Sequence, residues 1–136
     1  MKLSVHLTYN GQCEEAFLFY ERCLGGKIAT LLKYSDSPMA ASVPPEWQQK
    51  TLHATLIVGQ STLAGTDLLP KDYSPPKGFF ALLDVDGAVE AERVFRALSK
   101  NGTVQMPIQE TFWASRYGVL VDQFGIVWEI NCGRSA

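Results

Sequence analysis

One carboxyl in this chain sits where it could do chemistry: Glu129, set between Trp128 and Ile130. If that apolar strand turns Glu129 inward, burial raises its pKa and makes it a candidate general base. Pairing with Arg116 or a backbone donor is the structural alternative, and the residues alone leave both open. His53 alternates with Leu52 and Ala54 and reads as a structural strand residue, while His6 lies on the first strand. Cys13 falls where a first helix begins, and a helix N-terminus can lower a thiol pKa. A plain structural cysteine is the other reading. Glu110, Trp113 and Arg116 precede the closing hairpin and read as cavity rim or dimer contact, with simple surface equally open for Glu110.

These residues are positioned by elements that occur twice. Gly11, Glu14, Phe19 and Gly26 reappear 76 positions on as Gly87, Glu90, Phe95 and Gly102. Each copy reads as an apolar strand, a turn, an amphipathic helix and a terminating glycine, then a second strand and a hairpin. A unit of about 65 residues buries little surface alone, so two of them are expected to share a core. Two related halves leave a groove between them, and grooves bind small molecules.

The first strand is Val5, Leu7 and Tyr9 alternating with Ser4, His6 and Thr8. The first helix covers 13–24, with Glu14 and Glu15 in its opening turn, and Gly25-Gly26 stops it. Residues 27–34 read as a strand, and 51–67 as a hairpin turning at Gly59-Gln60. Between them, 35–50 is a Ser-, Pro- and Ala-rich loop of roughly 15 residues; loops of that length cover a site, carry function or are disordered. Its Trp47 either folds over something or anchors a surface loop. Pro70, Pro75 and Pro76 make 68–78 the linker, because proline cannot sit in a central strand. The second half then runs as a strand 79–85, a helix 88–99, an edge segment interrupted by Pro107, and a hairpin turning at Asp122 to Gly125. The expected organisation is a single domain of residues 1–136, with modules 1–67 and 79–136 and an α+β fold.

Composition narrows the function classes. A 46% apolar and 19% charged chain is that of a globular protein rather than a disordered one. The net charge of −2, with no basic cluster, offers no footprint for nucleic acid or anionic lipid. No apolar run approaches the roughly 18 residues of a membrane span. The N-terminal stretch lacks the apolar core of a signal peptide. Cys13, Cys23 and Cys132 are odd in number and widely spaced, so reduced thiols and a cytoplasmic location are expected.

With the repeat in place, the chain resembles the vicinal oxygen chelate superfamily of glyoxalase I, bleomycin-resistance and extradiol dioxygenase proteins. The likeness rests on AFLFYERCLGG, with Phe19-Tyr20 and Leu24-Gly25, and on Asp122-Gln123-Phe124-Gly125 followed four residues later by Glu129. Residues 107–118, PIQETFW…YG, add to it, and HATLIVG…D is most similar to the PhnB-like branch. Many sequences of that branch carry the label 3-demethylubiquinone-9 3-methyltransferase. No strand here leads into a glycine-rich turn that opens a helix, so nothing in this sequence supports that label. The resemblance implies paired βαβββ modules in a curved, cup-shaped mixed sheet with helices on the outer face. It also implies a homodimer and a small-molecule ligand.

Metal-dependent relatives hold an ion in the cup, where it polarises substrate oxygens as a Lewis acid. Carried over by position, the eighth-strand ligand falls on Glu129 and the first-strand ligand on Val5 or, one residue on, His6. The other two positions fall at Phe80 and at Ala64 or Gly65, none of them a ligand. Water, or a third ligand such as His53 or Asp67, would have to complete the set. A metal-free cup is therefore expected, lined by His6, Phe80, Trp113 and Trp128, with His6 and Glu129 the candidate ligands for any divalent ion. The resemblance then implies either a ligand-binding protein or an enzyme, metal-dependent or using Glu129 as its base.

Overall fold

A computed structural model describes residues 1–134 and divides into two compact units, Met1–Ser74 and a second beginning at Pro75. The boundary lies inside the proline stretch. Its early residues belong to the first unit: Leu68 N–H donates to Tyr9 O, and Asp72 and Tyr73 N–H both donate to Leu69 O.

The first unit runs β1 (Val5–Tyr9), α1 (Cys13–Leu24), β2 (Lys27–Lys33), β3 (Thr51–Val58) and β4 (Ser61–Asp67). The sheet order is β1-β4-β3-β2, with β1 parallel to β4 and the other pairs antiparallel. Alternation decides which residues meet the helix. Leu7, Gly65 and Ala54 share one row across β1, β4 and β3. The Phe17 ring of α1 lies on that row, and a Cβ at Gly65 would stand 2.5 Å from Phe17 Cε1. Only glycine lets helix and sheet approach so closely there. Leu7, Tyr9, Phe17, Tyr20, Ala54 and Leu56 are buried around it. Each large apolar side chain so buried contributes about 1.5–3 kcal/mol.

The second unit runs β5 (Ala81–Asp84), α2 (Ala88–Ser99), β6 (Thr103–Gln109), β7 (Ala114–Val121) and β8 (Val127–Gly133). Its order, β5-β8-β7-β6, repeats the same scheme with β5 parallel to β8. Gly118 of β7 plays the part of Gly65: a Cβ there would lie 2.6 Å from Phe95 Cε2 of α2. Pro107 is accommodated because β6 is an edge strand whose pairing with β7 is irregular on either side of Met106. Phe79 and Phe80 precede β5 rather than opening it.

Both units thus have the order βαβββ, and each forms its own four-stranded mixed sheet with one helix on one face. The offset between matching strands falls from 76 at β2 and β6 to 63 at β3 and β7. The cause is the connection 34–50, which is 13 residues longer than its counterpart 110–113.

Candidate functional site

The face of the second sheet away from α2 carries the expected carboxyl. Gly118 and Ile130 pair in register, and Gly118 faces Phe95, so Glu129 and its partner Val119 point to the opposite side. Tyr117 is on that side too, and its hydroxyl donates to Glu129 Oε2 at 2.5 Å. Holding that hydrogen bond pushes the Tyr117 phenol up to about 12, with its partial burial a smaller cause in the same direction. Glu129 is half-buried, with Leu82 beside it on β5. Trp113 stands edge-on to Tyr117 at 5.1 Å between ring centres, and Phe112 edge-on to Trp113 at 4.7 Å. Leu82, Phe80, Phe112 and Trp113 are all exposed.

The structural partner anticipated for Glu129 is elsewhere. Arg116 Nε donates to Glu92 Oε1 of α2 at 2.7 Å, which holds its guanidinium in the charged form more firmly than usual. Glu110 lies 3.6 Å from Arg134 in an exposed pair. Tyr117 is the partner that the sequence reading missed. Its signal was strand parity, since residues 117 and 119 share a face and Val119 is level with Glu129.

Trp128 does not line this face. Alternation along β8 turns it to the helix side with Ile130, where it is 4% exposed. Its indole N–H donates to Asp122 Oδ2 at 2.9 Å, while Asp122 Oδ1 accepts Phe124 N–H and Ile126 N–H. Trp128 is therefore a core residue pinned by the hairpin aspartate, and the expectation that it contacts ligand is corrected.

In the first unit, His6 is level with Ala64 on the face away from α1, and His53 of β3 lies on the same face. Their rings are 5.9 Å apart and near perpendicular. Asp67 is not in reach of this face as a ligand. It is buried beneath the turn before α1, where Oδ1 accepts Gly11 N–H and Cys13 N–H and Oδ2 accepts Thr51 N–H. Burial pushes its carboxyl up, against the pull of those three donors and of Lys50. Cys13 is fully buried beside it, and burial, with the Asp67 charge, raises its thiol well above the ordinary range. That overturns the reading of Cys13 as an activated thiol, because desolvation outweighs the helix N-terminus.

The long connection 34–50 belongs to this unit's own packing. Three short 3₁₀ turns occupy it, and Gln48 Nε2 donates to both Ala40 O and Val43 O. Tyr34 donates its hydroxyl to Asp67 O, and Lys50 Nζ to Gly11 O. Trp47 rests against Gly11. The segment is stitched over the turn between β1 and α1. A shallow cavity of about 310 Å³ opens beside that turn, between Glu14, Glu15 and Lys50. In the second unit, an apolar cleft of about 330 Å³ lies between Phe95 of α2 and Val104 and Ile108 of β6. Neither includes Glu129 or Tyr117.

Two βαβββ units, each with its first and fourth strands parallel, are the geometry that the resemblance implied. A family model described as the Glyoxalase/Bleomycin resistance protein/Dioxygenase superfamily matches residues 4–130. The chain belongs to that superfamily. Protein PA1353 from Pseudomonas aeruginosa is 40% identical and superposes with a TM-score of 0.90, covering 99% of each chain. Protein YjdN of Escherichia coli (strain K12) is 32% identical over 139 residues, which is 96% of this chain and 95% of that protein. The PhnB protein from Bacillus cereus, whose description carries the 3-demethylubiquinone-9 3-methyltransferase label, is 20% identical with a TM-score of 0.81 over 98% and 100% of the two chains. At that identity the likeness concerns fold alone.

The metal set of glyoxalase-type relatives is a poor fit to these residues. His6 is level with Ala64 on β4, and Glu129 is level with Leu82 on β5, so neither has a ligand in the strand beside it. Among the described residues, no three His, Cys, Asp or Glu side chains are grouped to hold an ion.

Proposed function

We propose that this glyoxalase/bleomycin-resistance superfamily member binds a small, largely apolar or planar molecule on the second sheet, with Glu129 as its polar anchor. The carrying observation is the Tyr117–Glu129 pair, a directed carboxylate beside exposed Leu82 and beside the Trp113 ring that stands edge-on to Tyr117. Tyr117 takes one carboxylate oxygen and fixes its direction, which leaves the other to accept from a ligand amine, amide or hydroxyl. The aromatic side chains supply contact area. Calorimetric titration with a panel of planar amines and amides tests this. Saturable binding is expected, weakened about tenfold or more by Glu129→Gln, the loss of one charge-assisted hydrogen bond. Equal affinity in Glu129→Gln and Trp113→Ala would overturn it.

A second reading, an enzyme with Glu129 as general base, is favoured by its half-buried carboxylate, which Tyr117 directs through one oxygen while the other is left to take a proton. Its mark is turnover of a bound compound that falls by about 10²–10⁴ in Glu129→Gln. Homodimerisation belongs to the same proposal, supported by exposed Val104 and Met106 on edge strand β6; a monomeric sedimentation mass would remove it. A cytoplasmic location is supported by the buried free thiols Cys13, Cys23 and Cys132. No helix among the described residues is long and apolar enough to cross a membrane.

A further inference from the structure

The chain has two histidines, 47 positions apart, and the first sheet brings them together. β1 and β3 flank β4 on either side, so His6 and His53 reach toward each other across it. Ala64, level with both His6 and Thr55, presents only a methyl group between the strands that carry them. Neither imidazole has a hydrogen-bond partner among the described residues. Thr8, Thr55 and Thr66 share the face.

We propose that His6 and His53 form a two-imidazole site for a divalent ion of the nickel, copper and zinc group, with water or a small donor ligand completing the coordination. Imidazole nitrogen suits these metals. A metal–nitrogen bond of about 2.0–2.1 Å puts the ion about 3.2 Å from each ring centre. Two rings on one ion then have centres about 5.2 Å apart at a tetrahedral angle and about 6.4 Å apart when opposed. The observed 5.9 Å lies between these limits. The 77° between ring planes is no obstacle, since each ring can rotate about its own metal–nitrogen bond. His6 is exposed, so water can reach the ion's remaining positions, and open positions are what a metal offers to an incoming ligand. The site lies wholly within the first unit, uses neither Phe80 nor Glu129, and stands apart from the Tyr117–Glu129 reading.

Zinc chloride alone, titrated into the full chain, tests it. With only two imidazoles present, long-range proton–nitrogen spectra report each ring separately. A ring nitrogen of both His6 and His53 is expected to shift with one equivalent of zinc. Calorimetry should show binding weakened about tenfold or more by either His6→Ala or His53→Ala, as loss of one of two protein ligands requires. Ala64→Leu keeps both imidazoles and wedges them apart, and it should weaken binding in a chain whose melting temperature shows it is folded. The proposal is overturned if neither ring responds, if His53→Ala binds as the parent does, or if binding disappears in Glu129→Gln but survives in His53→Ala.

Discussion

Tyr117 and Glu129, on neighbouring strands of one sheet, share a hydrogen bond of 2.5 Å in which the phenol donates and the carboxylate accepts. Their contact is diagonal: Glu129 is level with Val119, and Tyr117 is level with Asn131. The bond holds the phenol proton in place and leaves one carboxylate oxygen to be directed by it.

The Tyr117 phenol should therefore titrate late. Its ordinary value of 10.0 is raised to about 12 in the folded chain. Because the folded value exceeds the unfolded one, the stabilisation this supplies is fully present below about pH 10 and fades as the pH rises through about 12. Ultraviolet difference titration of the parent against Glu129→Gln should show a late phenol that moves back toward the ordinary range in the variant. An unchanged titration curve in that variant would show that Glu129 is not what holds the proton.

Asp67 accepts from three backbone N–H groups, those of Gly11 and Cys13 at the start of α1 and that of Thr51 at the start of β3. Asp67→Ala should cost about 3–5 kcal/mol, from several buried donors left unpaired. Urea unfolding measures it. A loss under about 1 kcal/mol would mean that the turn rearranges to satisfy them.

Cys13 should resist alkylation in the folded chain, since its thiol is fully buried and its pKa lies well above the ordinary range. Iodoacetamide labelling followed by mass mapping should modify Cys13 only under denaturing conditions. Ready labelling in native buffer would contradict the burial.

Gly65 and Gly118 carry the two helix–sheet contacts. An added methyl at either would stand 2.6 Å or less from a phenylalanine ring carbon. Gly65→Ala and Gly118→Ala should each destabilise by about 1–3 kcal/mol through overpacking. At Gly118 the new methyl also meets Ile108 Cα at 2.9 Å, a backbone atom that yields less than a ring, so its cost should be the larger. Melting temperatures of the two variants give the order.

Strand and helix positions were legible because each depends on local alternation and helical spacing. The helix 88–99, the Gly59-Gln60 turn and the closing hairpin all lie where those patterns put them. The repeat of strand–helix–strand–hairpin was likewise visible in residue types alone. Its limit was the connection 34–50, which reads as an unstructured loop because its order comes from 3₁₀ turns and from bonds to residues distant in sequence, such as Tyr34 to Asp67.

What the sequence determined by itself was the βαβββ order and the presence of a carboxyl at 129, both consequences of near-neighbour chemistry. Tertiary structure decided which face each side chain took and whom it met there. One step along β8 separates Glu129, beside Tyr117, from Trp128, locked onto Asp122. A pleat of period two sends neighbours to opposite faces, and only the helix that covers one face tells which is which. The pairing of His6 with His53 depends on the same thing. Two imidazoles 47 residues apart become neighbours because β4 inserts between β1 and β3, a strand order that no local pattern encodes.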